Sequence, residues 1–98
     1  MRVNDRPIFI DIDGTLTDDP EKGNGRPNID RIQCVKKMVS EGDQIVLWSG
    51  RGTEYVKLFA NKHKIKNVVC IGKPDKAIDD NPIVRNFSVI NPSEFFGC

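Results

Sequence analysis

This chain of 98 residues has almost no net charge, only three cysteines and no long apolar run. The formal net charge is only +1 at pH 7, which argues against general attraction to nucleic acid or to a membrane surface. The longest apolar runs, such as residues 45–48, are far too short to cross a bilayer. Residues 1–7 are polar and charged, without the apolar core of a signal peptide. We therefore expect a cytoplasmic protein with no membrane partner.

The cysteines Cys34, Cys70 and Cys98 have no metal-ligand spacing. Cys34 and Cys70 stand in apolar surroundings, which predicts buried free thiols and suits a reducing compartment. A length of 98 residues with a hydrophobic fraction of 38% fits one domain, residues 1–98, around one core.

Short apolar stretches alternate with amphipathic ones along the chain. A helix is predicted from Ile29, capped by Asn28, to about Gly42, and another from Thr53, as its cap, to about His63. The alternation predicts an α/β fold, in which right-handed crossovers build a parallel sheet with helices on both faces. The predicted strands are residues 7–11, 44–49, 67–71, 76–79 and 87–90, with one helical turn at 82–86 before the last strand.

Carboxylates stand where two of the predicted strands end. The carboxyl ends of parallel strands meet at one edge of a sheet, where ligands bind. Carboxylates crowded at such an edge repel one another unless a cation offsets their charge. Oxygen ligands are those that Mg²⁺ prefers, so the sequence predicts a magnesium site at this edge. The predicted ligands are Asp11, Asp13, Asp79 and Asp80.

The same edge suits chemistry on a phosphate group. A divalent ion removes the repulsion between a carboxylate and a phosphate, which makes Asp11 the predicted nucleophile. Asp13 lies two positions further and projects to the same side of an extended chain. It is therefore predicted to protonate the leaving oxygen and later to activate the attacking water. Lys73, in the loop before the fourth strand, is predicted to bind the phosphate and offset its charge.

The second predicted strand is followed by a hydroxyl, a backbone amide and a guanidinium. The Ser49 hydroxyl and the Gly50 amide are predicted to hold phosphate oxygens, because glycine allows close backbone approach. Arg51 either binds the same phosphate or pairs with a nearby aspartate. Trp48 adjoins Ser49 on a strand and should point the opposite way, into helix packing.

In sequence order, these motifs resemble those of the haloacid dehalogenase superfamily, in its phosphatase branch. They are Asp11-x-Asp13-Gly14-Thr15, Ser49, Lys73 and Asp79-Asp80, and the match runs over residues 7–82. The resemblance implies a three-layer Rossmann-like sheet of order 5-4-1-2-3 and an aspartyl-phosphate intermediate at Asp11. It also implies Mg²⁺ held by Asp11, the Asp13 carbonyl and the acidic pair. Asp80 is expected to ligate the ion directly and Asp79 through water or hydrogen bonds, although the two roles could be exchanged.

Members of this superfamily differ chiefly in inserted cap domains. Here the flap is limited to residues 14–27, and residues 49–73 hold only a helix and a strand, so the chain resembles the minimal type without a cap. In that type, an open site favours large substrates or closure by a neighbouring subunit, which predicts a homo-oligomer as one arrangement. The stretch from Lys73 to Asp79 is short against the family pattern, so Lys76 is the alternative to Lys73.

The leading functional hypothesis is a phosphomonoester hydrolase acting on a small phosphorylated metabolite, such as a sugar phosphate or a nucleotide. One alternative keeps the chemistry but acts on the 3′-phosphate of a polynucleotide end, guided by a basic cluster. Another is a regulatory module that binds phosphate or Mg²⁺ without turnover. The basic cluster comprises Lys57, Lys62, Lys64 and Lys66, around His63.

Overall fold

The computed structural model describes residues 6–18, 25–80 and 89–96. Its strands run parallel in the order β1-β2-β3, which is the 1-2-3 part of the predicted sheet. The α/β class, with a Rossmann-like core and no cap among the described residues, is confirmed. The elements are β1 (Ile8–Asp11), α1 (Ile29–Ser40), β2 (Ile45–Ser49), α2 (Thr53–Lys62), β3 (Val69–Gly72) and α3 (Pro92–Phe95).

The fourth predicted strand, at residues 76–79, is not formed. Every residue from 73 to 80 is exposed, and Ile78 has a relative exposure of 104%. A strand inside a covered parallel sheet needs buried side chains, and Ile78 is the only large apolar residue this stretch offers. Of the fifth strand, Val89 and Ile90 are described and are not in a strand. Residues 87–88 and the predicted turn at 82–86 lie outside the described ranges.

The core lies between the sheet and the two long helices. Ile10 of β1 and Leu47 of β2 pair in register and are both buried. Helix α1 adds Ile32 and Val35 from one face, as its apolar spacing predicts. The complete buried cluster is Ile10, Ile12, Leu16, Ile32, Val35, Ile45, Leu47, Val56, Phe59, Ala60 and Ile65.

The two long helices begin in different ways. The Asn28 side chain accepts a hydrogen bond from the Arg31 amide at 3.1 Å, so the predicted cap of α1 is confirmed. The predicted cap of α2 is wrong, because the residue before the helix is Gly52, with a φ of 102° that favours glycine. The Thr53 hydroxyl instead accepts a hydrogen bond from the Gly72 amide at 2.9 Å. The start of α2 is therefore tied to the end of β3.

The predicted flap begins as a hairpin directly after β1. Thr17 bridges Pro27 in the antiparallel sense, and the Asp18 amide donates to the Arg26 carbonyl at 2.9 Å. The Arg31 guanidinium of α1 donates to the Thr15 carbonyl at 3.0 Å. These contacts fix the base of the flap beside β1, while residues 19–24 lie outside the described ranges.

The two described cysteines differ in chemical state. Cys70 on β3 is a free, half-buried thiol whose pKa is raised by burial. Cys34 on α1 is disulfide-bonded, so the prediction of a free thiol there is wrong. Apolar neighbours in the sequence predict burial, but pairing depends on which thiols the fold brings within reach. No helix in the described ranges is both long and apolar enough to span a bilayer.

Candidate active site

Asp11 ends β1 and faces Lys73, the residue that follows β3. The Lys73 Nζ atom lies 3.0 Å from the Asp11 Oδ1 atom, and the Thr15 hydroxyl donates to Asp11 Oδ2 at 3.4 Å. The Lys73 amide donates to the Ser49 carbonyl at 2.9 Å, which anchors the lysine backbone to the end of β2. Lys76 lies in the exposed segment 73–80. Of the two candidate lysines, Lys73 is the one the structure pairs with Asp11.

Asp13 lies in the turn after β1 and receives hydrogen bonds from the region around the end of β2. Its Oδ2 atom accepts from the Ser49 hydroxyl at 3.3 Å and from the Arg51 Nε at 3.1 Å. The Arg51 amide in turn donates to the Ser49 Oγ at 3.1 Å, while Ser49 itself is buried. Of the two predicted roles for Arg51, the structure shows the pairing with an aspartate. The neighbouring Gly50 is exposed on the same turn.

A residue that the sequence reasoning missed, Tyr55, completes the surroundings of Asp13. Its hydroxyl donates to Asp13 Oδ1 at 2.7 Å, the shortest contact of that carboxylate among the described residues. Burial first, and then the hydrogen bond and negative charge of Asp13, raise the pKa of Tyr55 to about 12. The Arg51 guanidinium lies 5.9 Å from the Tyr55 ring centroid. The sequence feature that could have indicated this role is the position of Tyr55 in the first turn of the helix that follows β2.

The predicted acidic pair is not brought to these side chains. Asp79 and Asp80 are exposed, because the strand that would carry them to the sheet edge is not formed. Within the described residues, no three Asp, Glu, His or Cys side chains gather closely enough to hold a metal ion. Asp11 and Asp13 offer the oxygen donors that suit Mg²⁺, but the described arrangement does not fit the predicted four-carboxylate site.

A cavity of about 630 Å³ adjoins Asp11 and Lys73. Trp48 lies on its wall, half-buried, with the Lys73 Nζ 5.7 Å from its ring centroid and the Phe9 ring at 4.6 Å. The prediction that Trp48 packs among helices is therefore wrong. The lining is Pro7, Ile8, Phe9, Ile10, Asp11, Thr15, Trp48, Lys73, Val89, Ile90, Pro92, Phe95 and Phe96. Charged groups thus border one part of a mainly apolar cavity.

Comparison with known proteins identifies the family of the chain. Residues 8–73 match the family of haloacid dehalogenase-like hydrolases. The match covers most of the chain and includes β1, β2 and β3, and the chain belongs to this family. The predicted superfamily is therefore confirmed, and the family is one of hydrolases.

The fold also resembles that of a target protein from Vibrio cholerae solved by crystallography. The TM-score is 0.63 at 24% sequence identity, over 95% of this chain and 89% of the other. At that identity the likeness supports the fold alone. No curated protein matches the chain in sequence.

Proposed function

We propose that this chain is a phosphomonoester hydrolase that acts through an aspartyl-phosphate at Asp11. The observation that carries the proposal is the 3.0 Å contact between Asp11 and Lys73, beside the hydrogen-bonded Asp13. Ligands bind at the carboxyl edge of a parallel sheet, and an ammonium there attracts a phosphate. The carboxylate paired with that ammonium is then next to the bound phosphate. Membership of a hydrolase family supports the same reaction class.

The two carboxylates divide the chemistry between them. An oxygen of Asp11 attacks phosphorus and forms a new P–O bond, while the ester P–O bond breaks and its electron pair goes to the leaving oxygen. Asp13 donates its proton to that oxygen. Asp13 then takes a proton from a water molecule as the water attacks phosphorus, which releases inorganic phosphate and restores the Asp11 carboxylate. Lys73 offsets the negative charge during both transfers.

We include Mg²⁺ in the proposal, as the cofactor implied by the family resemblance. When bound, a divalent ion offsets the repulsion between a carboxylate and a phosphate dianion. Asp11 and Asp13 supply oxygen donors at the sheet edge, and the acidic pair at residues 79–80 is the further donor set that the sequence offers. Chelation is the direct test of this part of the proposal.

The cavity beside Asp11 supports a small substrate with an apolar or aromatic portion. Its volume of about 630 Å³ is in the usual range of small-molecule sites. Trp48 and Phe95 on its walls offer aromatic surface to a planar group. Among small phosphorylated metabolites, this lining favours a nucleotide over a sugar phosphate, since a sugar presents mainly hydroxyl groups.

The placement of the basic cluster favours a small substrate over a polynucleotide end. Helix α2 begins beside the site and has 10 residues, a length of about 15 Å. Lys62 lies at its far end, and Lys64 and Lys66 follow it. His63 is half-buried against Phe59, with ring centroids 4.5 Å apart. Lys62, His63, Lys64 and Lys66 therefore stand away from Asp11, and Lys57 is the member of the cluster that lies nearer the start of α2.

The deciding experiment is hydrolysis of a generic aryl phosphate with Mg²⁺, with and without EDTA. We expect turnover that EDTA abolishes and added Mg²⁺ restores, and no turnover by Asp11→Asn. A panel of nucleotides, sugar phosphates and 3′-phosphorylated oligonucleotides then assigns the substrate. Activity on oligonucleotides that falls steeply with salt would assign a polynucleotide end instead. No turnover with any metal would contradict the enzyme proposal and leave the binding module.

Two further parts of the proposal concern where the protein acts and in what assembly. We propose a cytoplasmic location, since the small net charge gives no general attraction to a membrane surface. We also propose that a second copy of the chain closes the open site. Val89, exposed at 89%, and Ile90, at 55%, line the cavity beside Asp11 and are apolar surface that a second copy would cover. Cell fractionation and light scattering test these two statements.

A further inference from the structure

Tyr55 makes the shortest contact of Asp13 that the described residues provide, at 2.7 Å between the phenolic oxygen and Oδ1. The contacts on the opposite oxygen, from Ser49 and Arg51, are 3.3 Å and 3.1 Å. We propose that Tyr55 is a positioning residue that orients Asp13 so that its Oδ1 atom exchanges the proton with the leaving group. This inference rests on the proposed function and deepens its account of the proton transfer.

The hydrogen bonds to Asp13 single out Oδ1 as the reacting oxygen. A carboxylate has about four lone-pair positions, two on each oxygen. Ser49 and Arg51 occupy those on Oδ2, and Tyr55 occupies one of those on Oδ1. Among the described contacts, the remaining position is therefore on Oδ1. A proton carried there points away from the Arg51 side of the carboxylate.

Tyr55 is held firmly enough to orient another side chain. It lies in the first turn of α2, and its side chain packs against the buried core. The neighbouring Thr53 accepts a hydrogen bond from Gly72 at 2.9 Å, which fixes this turn against β3. A tyrosine side chain also has few rotatable bonds, so ordering it costs little conformational entropy. The Asp13 side chain, which exposes only 10% of its surface, is thus held from a rigid helix.

The phenol acts as a donor throughout the reaction because it stays protonated. A phenol is protonated at neutral pH, and the 2.7 Å contact with a carboxylate oxygen uses that proton as the donor. Tyr55 therefore exchanges no proton itself. Its effect is on the orientation of Asp13, which must present its proton to the leaving oxygen within hydrogen-bond reach.

Proton donation to the leaving group matters unequally for different esters. An alkyl oxygen is a poor leaving group as an anion and needs the proton from Asp13. A nitrophenyl oxygen leaves readily as the phenolate and needs it little. Loss of orientation at Asp13 therefore has a selective effect, which general damage to the site would not produce.

The test compares Tyr55→Phe with the wild-type protein on an alkyl phosphate and on 4-nitrophenyl phosphate, with Mg²⁺ present. The value of kcat/KM is the readout, because it covers the steps up to departure of the leaving group. We expect it to fall roughly ten-fold or more for the alkyl ester and less than about two-fold for the aryl ester. The control is Glu54→Gln on the same helical turn, whose exposed carboxylate contacts Lys57 at 3.9 Å. It should leave both values unchanged.

The outcomes separate the inference from the proposed function. An equal fall in kcat/KM for the two esters, or no fall for either, would overturn the positioning role of Tyr55 while leaving the phosphatase intact. Loss of the helical circular dichroism signal would show that a variant has unfolded, and Tyr55→Met then repeats the test with another side chain that has no hydrogen-bond donor. Absence of turnover by the wild-type protein on both esters would overturn the proposed function and this inference with it.

Discussion

The ammonium of Lys73 lies 3.0 Å from the carboxylate of Asp11, although Asp11 is the last residue of β1 and Lys73 follows β3. Both side chains are partly exposed, at 42% and 30%, so a phosphate can reach them from solvent. An exposed ion pair of this kind adds at most about 1 kcal/mol to stability. The main role of this ion pair is therefore to place a positive charge beside the proposed nucleophile.

Substitution of this lysine should lower activity without unfolding the protein. We expect Lys73→Met to reduce kcat by about 10²–10³-fold, because it removes one group that offsets charge at the reacting phosphate. Phosphate release from an aryl ester is the measurement. Lys76→Met is the matched control and should stay near the wild-type rate. The reverse pattern would assign the role to Lys76.

The acidic pair at residues 79–80 allows a direct test of the Mg²⁺ requirement. If Asp80 ligates the ion and Asp79 acts through water, Asp80→Asn should raise the Mg²⁺ concentration needed for half-maximal activity by about ten-fold or more, and Asp79→Asn by less. Asp75→Asn in the same exposed segment is the control. Equal behaviour of all three variants would show that the pair does not hold the metal.

We expect a side chain at Gly72 to lower stability, because the backbone there lies against the start of α2. A Cβ atom there would lie 3.0 Å from the Cα of Gly52 and 3.3 Å from the amide nitrogen of Thr53, both of which are backbone atoms. Gly72→Ala should therefore lower the free energy of unfolding by about 1–3 kcal/mol. Urea denaturation measures it. Gly50→Ala, whose Cβ would have no atom within 4 Å, should change stability by less than about 0.5 kcal/mol.

His63 should make stability depend on pH in the mildly acidic range. Burial, followed by the charges of Lys62 and Lys36, lowers its pKa in the folded protein. Protonation then favours the unfolded chain, so this contribution to stability is fully present above the unfolded pKa of about 6.5 and is lost as the pH falls through the folded value. The loss is measured by comparing the free energy of unfolding in urea at about pH 8 and at about pH 5. His63→Gln should reduce it, and an unchanged loss would assign it to other groups.

The pattern of apolar residues was sufficient to predict most of the fold. Strands β1 and β2 and helices α1 and α2 lie where their periodicity predicts, because each buries side chains in the common core. Strand β3 also lies where it was predicted, with Cys70 packed against that core. The prediction of a fourth strand was wrong because that segment has too few apolar side chains to bury. Ile78 is its one large apolar side chain, and a single such residue does not decide whether a segment joins a sheet.

The site was predictable only where its residues follow strands. Asp11, Asp13, Ser49 and Lys73 converge because strand pairing fixes where each strand ends, which spacing alone indicates. Tyr55 was missed, since an aromatic residue in an amphipathic helix is normally explained by packing. Its contact with Asp13 depends on how α2 leaves the end of β2, and the conformation of that turn at Gly52 is a tertiary detail.

The position of Trp48 gives the protein an intrinsic optical reporter. The chain has one tryptophan, so its entire indole fluorescence comes from the wall of the cavity beside Lys73. We expect an occupant of that cavity to change the polarity around the indole ring, which lies 5.7 Å from the Lys73 ammonium. Emission intensity and wavelength therefore follow ligand occupancy in real time, without a label and without any chemical turnover.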